Sequence, residues 1–180
     1  HAGYGDHEVM IVELSGMRIV SRASMPETFV GLCFNSTGEK LFASGAGNEV
    51  VHQFQFNDGY LSEPRELRVA DIKERQVPAG LAVSYDDKTL YAACPWGNSV
   101  CVMPLDAPDQ KKLLHLGANS YPYSALPEPS GKRLYVSLWG KSSVAVLNLE
   151  TGKVDSTWPT QSHPTEMLLT KDQRTLFVAC

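Results

Sequence analysis

Short apolar runs alternate with turn-forming residues along the whole chain. Between the turns the residues are β-branched or aromatic, as in RLYVSL and VAVLNL. The turns hold Gly, Asp or Asn, which tolerate positive φ, for example in STGEK, PSGKR and ETGKV. LRVADIKERQ at 67–76 is the only weak candidate for the 3.6-residue periodicity of a helix, and we interpret it as an extended loop. The pattern therefore predicts an all-β chain.

The apolar runs recur at a nearly constant spacing. Leucines 49, 44 and 42 residues apart lie in EKLFAS, KTLYAA, KRLYVS and RTLFVA, at Leu41, Leu90, Leu134 and Leu176. A second set of positions, spaced 41, 50 and 44 residues apart, is Val9, Val50, Val100 and Val144. Twelve residues before the leucines stand Phe29, Pro78, Pro122 and Pro164. A period of ~40–50 residues that holds four short strands is the signature of a β-propeller.

One repeat unit, 122–158, shows how the strands are expected to run. YSALPEP, RLYVSL, VAVLNL and VDSTW would be its four strands, joined by PSGK, WGKS and ETGK. RLYVSL is apolar on both faces, as expected for an inner strand that packs between two neighbouring sheets. VDSTW is more polar and suits an outer strand near solvent. We therefore predict four-stranded antiparallel blades arranged around an axis.

The repeat boundaries predict about four blades' worth of propeller. Complete blades are expected at 29–69, 78–116 and 122–158, and partial blades at 7–23 and 164–180. The two partial blades would either combine into one blade of a four-bladed ring or belong to a longer, seven-bladed ring. We favour the longer ring because the repeats stay similar up to the last residue and no polar capping segment is present at either end.

Charge and cysteine content exclude several other classes of protein. The net charge is −4 and the pI is about 5.7, which does not fit the basic surface of a nucleic-acid-binding protein. No apolar stretch approaches the ~18 residues of a membrane span, and HAGYGDHEVM carries no signal-peptide pattern. The four cysteines form no CxxC or CxxCH motif and are interpreted as small apolar residues packed in strands: Cys33, Cys94, Cys101 and Cys180.

Several segments resemble the YVTN-type β-propeller repeat family. They are PAGLAVSYDDKTLY (78–91), RLYVSLWGKSSVAVLNLETGKV (133–154) and HPTEMLLTKDQRTLFVAC (163–180). TFVGLCF, PAGLAV and SHPTEML are also similar to bacterial propellers fused to an alkaline-phosphatase-type phosphoesterase domain. The resemblance implies a periplasmic or extracellular location and a protein partner or fused domain. Cys94 and Cys180 depart from the family, in which Asn commonly ends the second strand.

Candidate binding residues cluster on one predicted face of the propeller. The loops between strands two and three and the loops between blades are expected to lie on the same face. This face would collect Trp96, Trp139, Tyr121, Tyr123, His163, Glu166 and Glu27. Aromatic residues at loop tips suit recognition, because they give a large contact area at a small entropic cost. The structural alternative is that each Trp covers the next blade and each X-Pro stiffens a connection.

Sequence motifs for catalysis are missing from the chain. It contains no GxSxG, Walker, Rossmann, HExxH or HxH pattern, so we predict no catalytic residue, metal or cofactor. The expected function is a non-catalytic binding or scaffold module for a protein or ligand partner. The alternative is the propeller part of a hydrolase, a phosphoesterase fusion or lactonase-like enzyme, whose first residues to test would be Glu27, His163 and Glu166. A redox propeller related to haem d1 proteins would need axial histidines and a bound chromophore.

Overall fold

Sixteen short strands account for about half of the residues that the structure describes. The computed structural model describes residues 7–180 and contains no α-helix in that range. The strands are β1 (His7–Glu13), β2 (Arg18–Met25), β3 (Leu32–Phe34), β4 (Lys40–Ser44), β5 (Val50–Asn57), β6 (Tyr60–Arg68), β7 (Leu81–Val83), β8 (Thr89–Cys94), β9 (Ser99–Pro104), β10 (Lys112–His115), β11 (Pro122–Pro127), β12 (Arg133–Leu138), β13 (Ser143–Asn148), β14 (Lys153–Pro159), β15 (Met167–Leu169) and β16 (Leu176–Val178). The 3-10 turns are Ala46–Asn48, Ile72–Glu74, Pro108–Gln110 and Trp139–Lys141. The all-β prediction is confirmed.

The strands form five antiparallel sheets in chain order. Three of them are four-stranded, β3-β4-β5-β6, β7-β8-β9-β10 and β11-β12-β13-β14, and β1-β2 and β15-β16 are two-stranded. Every pairing joins strands that are consecutive in the chain, as in a propeller blade. β1-β2 and β15-β16 do not pair with each other, so the sheets that the structure describes form an open array and not a four-bladed ring.

Four apolar clusters lie between successive sheets. Phe42 and Leu90 belong to the cluster between the first two four-stranded sheets, and Tyr91 and Leu134 to the next. A third cluster lies between the two-stranded sheet β1-β2 and the four-stranded sheet that begins with β3. A fourth lies between the four-stranded sheet that begins with β11 and the two-stranded sheet β15-β16. Because the inner strands are covered on both faces, their apolar runs are continuous. The face-to-face packing of blades is thus the main source of core in this fold.

Glycines allow the blades to approach closely near the axis. A Cβ on Gly80 would lie 2.2 Å from the backbone oxygen of Tyr123 in the next blade, and a Cβ on Gly31 would lie 2.0 Å from that of Ala79. Both are far below a normal contact distance. Gly31 and Gly80 each stand just before the first strand of their blade, so the same close contact recurs between successive blades.

Two details of the sequence interpretation were wrong. The segment 67–76 is only partly a loop, because Leu67 and Arg68 end β6 and Ile72–Glu74 forms a 3-10 turn with an Asp71 capping box. Cys180 is exposed and lies beyond β16, whereas the other three cysteines lie in strands. All four are free thiols, and Cys101 pairs with Ala92, so Cys94 and Cys101 are not opposite each other.

Candidate functional site

The loops of one face are held together by hydrogen bonds between different parts of the repeat. In the first complete blade, the Glu49 carboxylate accepts the backbone N–H groups of Gln76 (3.0 Å) and Val77 (3.0 Å). In the next blade, Asn98 Oδ1 accepts the N–H groups of Ser120 (2.8 Å) and Tyr121 (3.2 Å). In both blades, a polar side chain from the loop before strand three therefore fixes the connection to the next blade.

Burial shifts the pKa of Glu49, the first of these two anchoring residues. The Glu49 side chain is 1% exposed, and its removal from water raises the pKa of its carboxyl group. The hydrogen bonds from Val77 and Gln76 act in the opposite direction and lower it. Glu49 is thus a structural group under the loop face, without the exposure that contact with a ligand would require.

The residues that directly precede the repeated prolines, Pro78, Pro122 and Pro164, adopt an unusual backbone conformation. Val77, Tyr121 and His163 have φ of 56°, 42° and 60°, although residues before proline usually prefer extended conformations. The anchors described above bind the N–H groups of the first two. This conformation turns the chain sharply at the start of each blade and brings Tyr121 and His163 to the exposed face.

An aromatic pocket of about 410 Å³ lies on this face. Its lining residues are Phe29, Pro95, Trp96, Tyr121, Tyr123 and Trp139. Trp96 is 55% exposed and Trp139 is 41% exposed, so neither residue is buried in the core. Four of the seven predicted binding residues therefore line one concave site, of a size typical for small ligands.

Two perpendicular pairs of rings form the walls of the aromatic pocket. Phe29 and Trp96 have ring centroids 6.2 Å apart at an interplanar angle of 75°. Tyr121 and Trp139 are 6.3 Å apart at 81°. Edge-to-face pairs of this kind are favourable and hold the rings in defined orientations.

His163 contacts the aromatic pocket from outside. Its ring stacks on Trp139 with centroids 4.1 Å apart and an interplanar angle of 29°. The imidazole therefore covers one face of the Trp139 indole. His163 orients the site but is not one of its lining residues.

The two predicted carboxylates lie apart from each other. Glu27 lines a neighbouring cavity that shares Phe29 and Trp96 with the aromatic pocket, and its carboxylate lies against Gly47. Glu166 accepts a hydrogen bond from Ser124 (3.2 Å) and lines a third cavity along the innermost strands. Within residues 7–180 no group of three metal-ligating side chains occurs. No described helix is long and apolar enough to cross a membrane.

Four residues of this face were not identified as site residues from the sequence. Phe29 and Pro95 line the pocket, Asn98 anchors the loop that carries Tyr121, and Glu49 anchors the equivalent connection of the preceding blade. Phe29 was visible as the residue that replaces the repeated proline. The common position of Glu49 and Asn98, just before strand three, could have revealed the anchors.

Comparisons with known proteins support the fold alone. No protein-family model and no curated protein matches the chain. Virginiamycin B lyase from Staphylococcus aureus superposes with a TM-score of 0.75 at 13% identity, over 95% of this chain and 55% of the lyase. A provisional 6-phosphogluconolactonase from Bacteroides fragilis gives 0.73 at 20% identity, over 97% and 57%. A chain of the nidogen/laminin complex gives 0.66 at 17%, over 94% and 58%.

These matches have two consequences. The chain spans little more than half the length of the solved structures it resembles. Their functions differ, as their names show, so the shared architecture does not decide an activity. The sheet order, the clusters between sheets and the structural neighbours together establish a β-propeller segment of four-stranded antiparallel blades.

Proposed function

We propose that the chain is a binding module that holds a ring-shaped or apolar group of a ligand or partner in the aromatic pocket. The observation that carries the proposal is the convergence of Phe29, Trp96, Tyr121 and Trp139 around one open cavity. These four residues come from four different connections of the fold. Large aromatic rings left exposed in a concave site are typical of recognition sites.

The surrounding structure supports a preorganised site. Asn98 fixes the backbone of Tyr121, and His163 stacks on Trp139. Rings held in place before binding lose little conformational freedom when a ligand arrives, which favours affinity.

The test uses the indole N–H signals of the three tryptophans in a nuclear magnetic resonance titration. Trp96 and Trp139 report on the pocket, and Trp158 is an internal control because it lies on the outer strand β14 beside Tyr135. The probes are indole, p-cresol, cyclohexanol and choline. We expect at least one probe to shift the Trp96 and Trp139 signals in a saturable way and to leave the Trp158 signal unchanged.

Variants complete this test. Replacing Trp96 and Trp139 together with Ala should abolish saturable binding, whereas Trp158→Phe should preserve it. An unchanged Trp158 signal in the double variant shows that the sheets remain folded. Absence of saturable binding for every probe, or equal affinity in the double variant, refutes the proposal.

An enzyme is the second candidate, with its catalytic groups mostly outside these residues. The observation in its favour is His163, an exposed imidazole that stacks on a wall of the pocket. An exposed imidazole beside the pocket can act as a general acid or base toward a molecule that extends from the pocket across the loop face. Turnover of lactone or phosphoester substrates that is lost in His163→Gln, while probe binding persists, would support this candidate over a binding module.

A further inference from the structure

We infer that the aromatic pocket selects a quaternary ammonium group, such as the trimethylammonium group of choline or of a methylated lysine. This inference rests on the proposed function, because it names the chemistry of the group that the same pocket binds. It follows from the orientation of the rings, the scarcity of polar atoms in the wall and the charges nearby. Each of these observations narrows the class of ligand.

The ring orientations suit a compact cation. The Phe29–Trp96 and Tyr121–Trp139 pairs meet at 75° and 81°, so each pair forms a corner bounded by aromatic surfaces. A flat ligand would stack on one ring, whereas a tetrahedral group can contact the surfaces of both members of a corner. Ring faces carry negative electrostatic potential and attract cations within about 6 Å of the centroid.

The composition of the pocket wall distinguishes a quaternary ammonium from other cations. The lining side chains are aromatic apart from Pro95, and none is a carboxylate or amide. A primary ammonium would lose hydrogen bonds to water that these residues do not replace. A quaternary ammonium has no N–H group, so it loses none. Its methyl groups also bury apolar surface against the rings.

Nearby charges favour a cation over a neutral group of the same shape. Glu27 lines the adjoining cavity, which shares Phe29 and Trp96 with the aromatic pocket. No lysine or arginine lines either cavity among the described residues. Lys141, close to Trp139 in the chain, binds the backbone oxygen of Leu116 (3.0 Å) through its ammonium group. The formal net charge of the chain is −4.

The experiment compares choline with 3,3-dimethyl-1-butanol, its neutral analogue in which carbon replaces nitrogen. Both are titrated against the chain, with the indole signals of Trp96 and Trp139 as the readout and that of Trp158 as the control. We expect choline to bind at least about tenfold more tightly, because the two molecules differ in charge and hardly in shape. Affinities within twofold of each other would overturn the inference.

Fluorinated tryptophan tests the electrostatic cause directly. Each fluorine withdraws electron density from the ring face, so choline affinity should fall stepwise with increasing fluorination in a Trp158→Phe background. The affinity of the neutral alcohol should stay constant. Choline affinity that is independent of fluorination contradicts the inference even if choline binds.

Single variants separate the contributions to binding. Trp96→Leu keeps an apolar wall but removes a ring face, and should weaken choline at least about tenfold and the neutral alcohol much less. Glu27→Gln, outside the pocket, should weaken choline about two- to fivefold and leave the alcohol unchanged. Equal losses for both ligands in Trp96→Leu would show that only apolar area matters.

The outcomes distinguish failure of this inference from failure of the proposed function. If indole or cyclohexanol binds the pocket and choline does not, the ligand class is wrong and the binding module stands. If choline and its neutral analogue bind equally, the same conclusion holds. If no probe binds saturably, both proposals are refuted.

Discussion

Replacement of Asn98 tests whether the loop face is held by the hydrogen bonds described above. Asn98 Oδ1 accepts the N–H groups of Ser120 and Tyr121 and the Ser120 hydroxyl, at 2.8, 3.2 and 3.2 Å. Ser120 is fully buried, so its N–H group has no access to water once this acceptor is removed. A buried donor left unpaired costs about 1–3 kcal/mol of folding free energy.

The backbone at residue 98 supplies a second, separable contribution. Asn98 has φ of 52°, in the left-handed region, which Asn and Gly tolerate better than Ala. Asn98→Gly therefore loses the acceptor without adding strain at φ, and should cost about 1–3 kcal/mol. Asn98→Ala loses the acceptor and adds about 1 kcal/mol of backbone strain. Asn98→Asp keeps both the acceptor and the tolerated conformation, and should change stability by less than about 1 kcal/mol.

Urea and thermal unfolding of the three variants provide the measurement. For a domain of this size, each kcal/mol lowers Tm by about 2–4 °C, so Asn98→Gly should melt roughly 2–12 °C below the parent chain. The indole signal of Trp139 should also broaden or shift, because the Tyr121 ring packs against it at 6.3 Å. An Asn98→Gly chain as stable as the parent, or an Asp variant as unstable as the Ala variant, would refute the reasoning.

Three further predictions concern packing, pH and thiol reactivity. Gly80→Ala should destabilise the chain by about 1–3 kcal/mol in urea unfolding, because its Cβ would meet the Tyr123 backbone oxygen at 2.2 Å. Burial lowers the pKa of His52, so stability should fall as pH decreases through its unfolded value near 6.5, and His52→Gln should remove that component. Glu49 has the opposite effect on stability. Its pKa is raised in the folded chain, so protonation of its carboxyl group at lower pH favours the folded state. Cys180 should be the one thiol of four that reacts rapidly with a disulfide reagent, because the other three are buried or half-buried; four rapid reactions in the native chain would contradict the packing.

The aromatic site was predictable as a set of residues but not as an arrangement. Trp96, Tyr121 and Trp139 could be placed on one face because the order of strands in a propeller blade fixes which loops share a face. The contact of Phe29 with Trp96, 67 positions apart in the chain, depends on how neighbouring blades stack. The sequence placed Glu27 and Glu166 on the same predicted face. The structure places them in the walls of different cavities, which depends on how the loops pack and is not visible in the sequence.

The sequence by itself determined the strand content, the repeat and the order of strands within each blade. These properties depend on local alternation, turn residues and spacing, which are read directly along the chain. Tertiary structure alone decided which loop side chains meet, which polar groups are buried and how the rings are oriented. Asn98 and Glu49 illustrate the reason, because each acts on backbone groups 22 to 28 residues away that come within reach only after the blades have packed against one another.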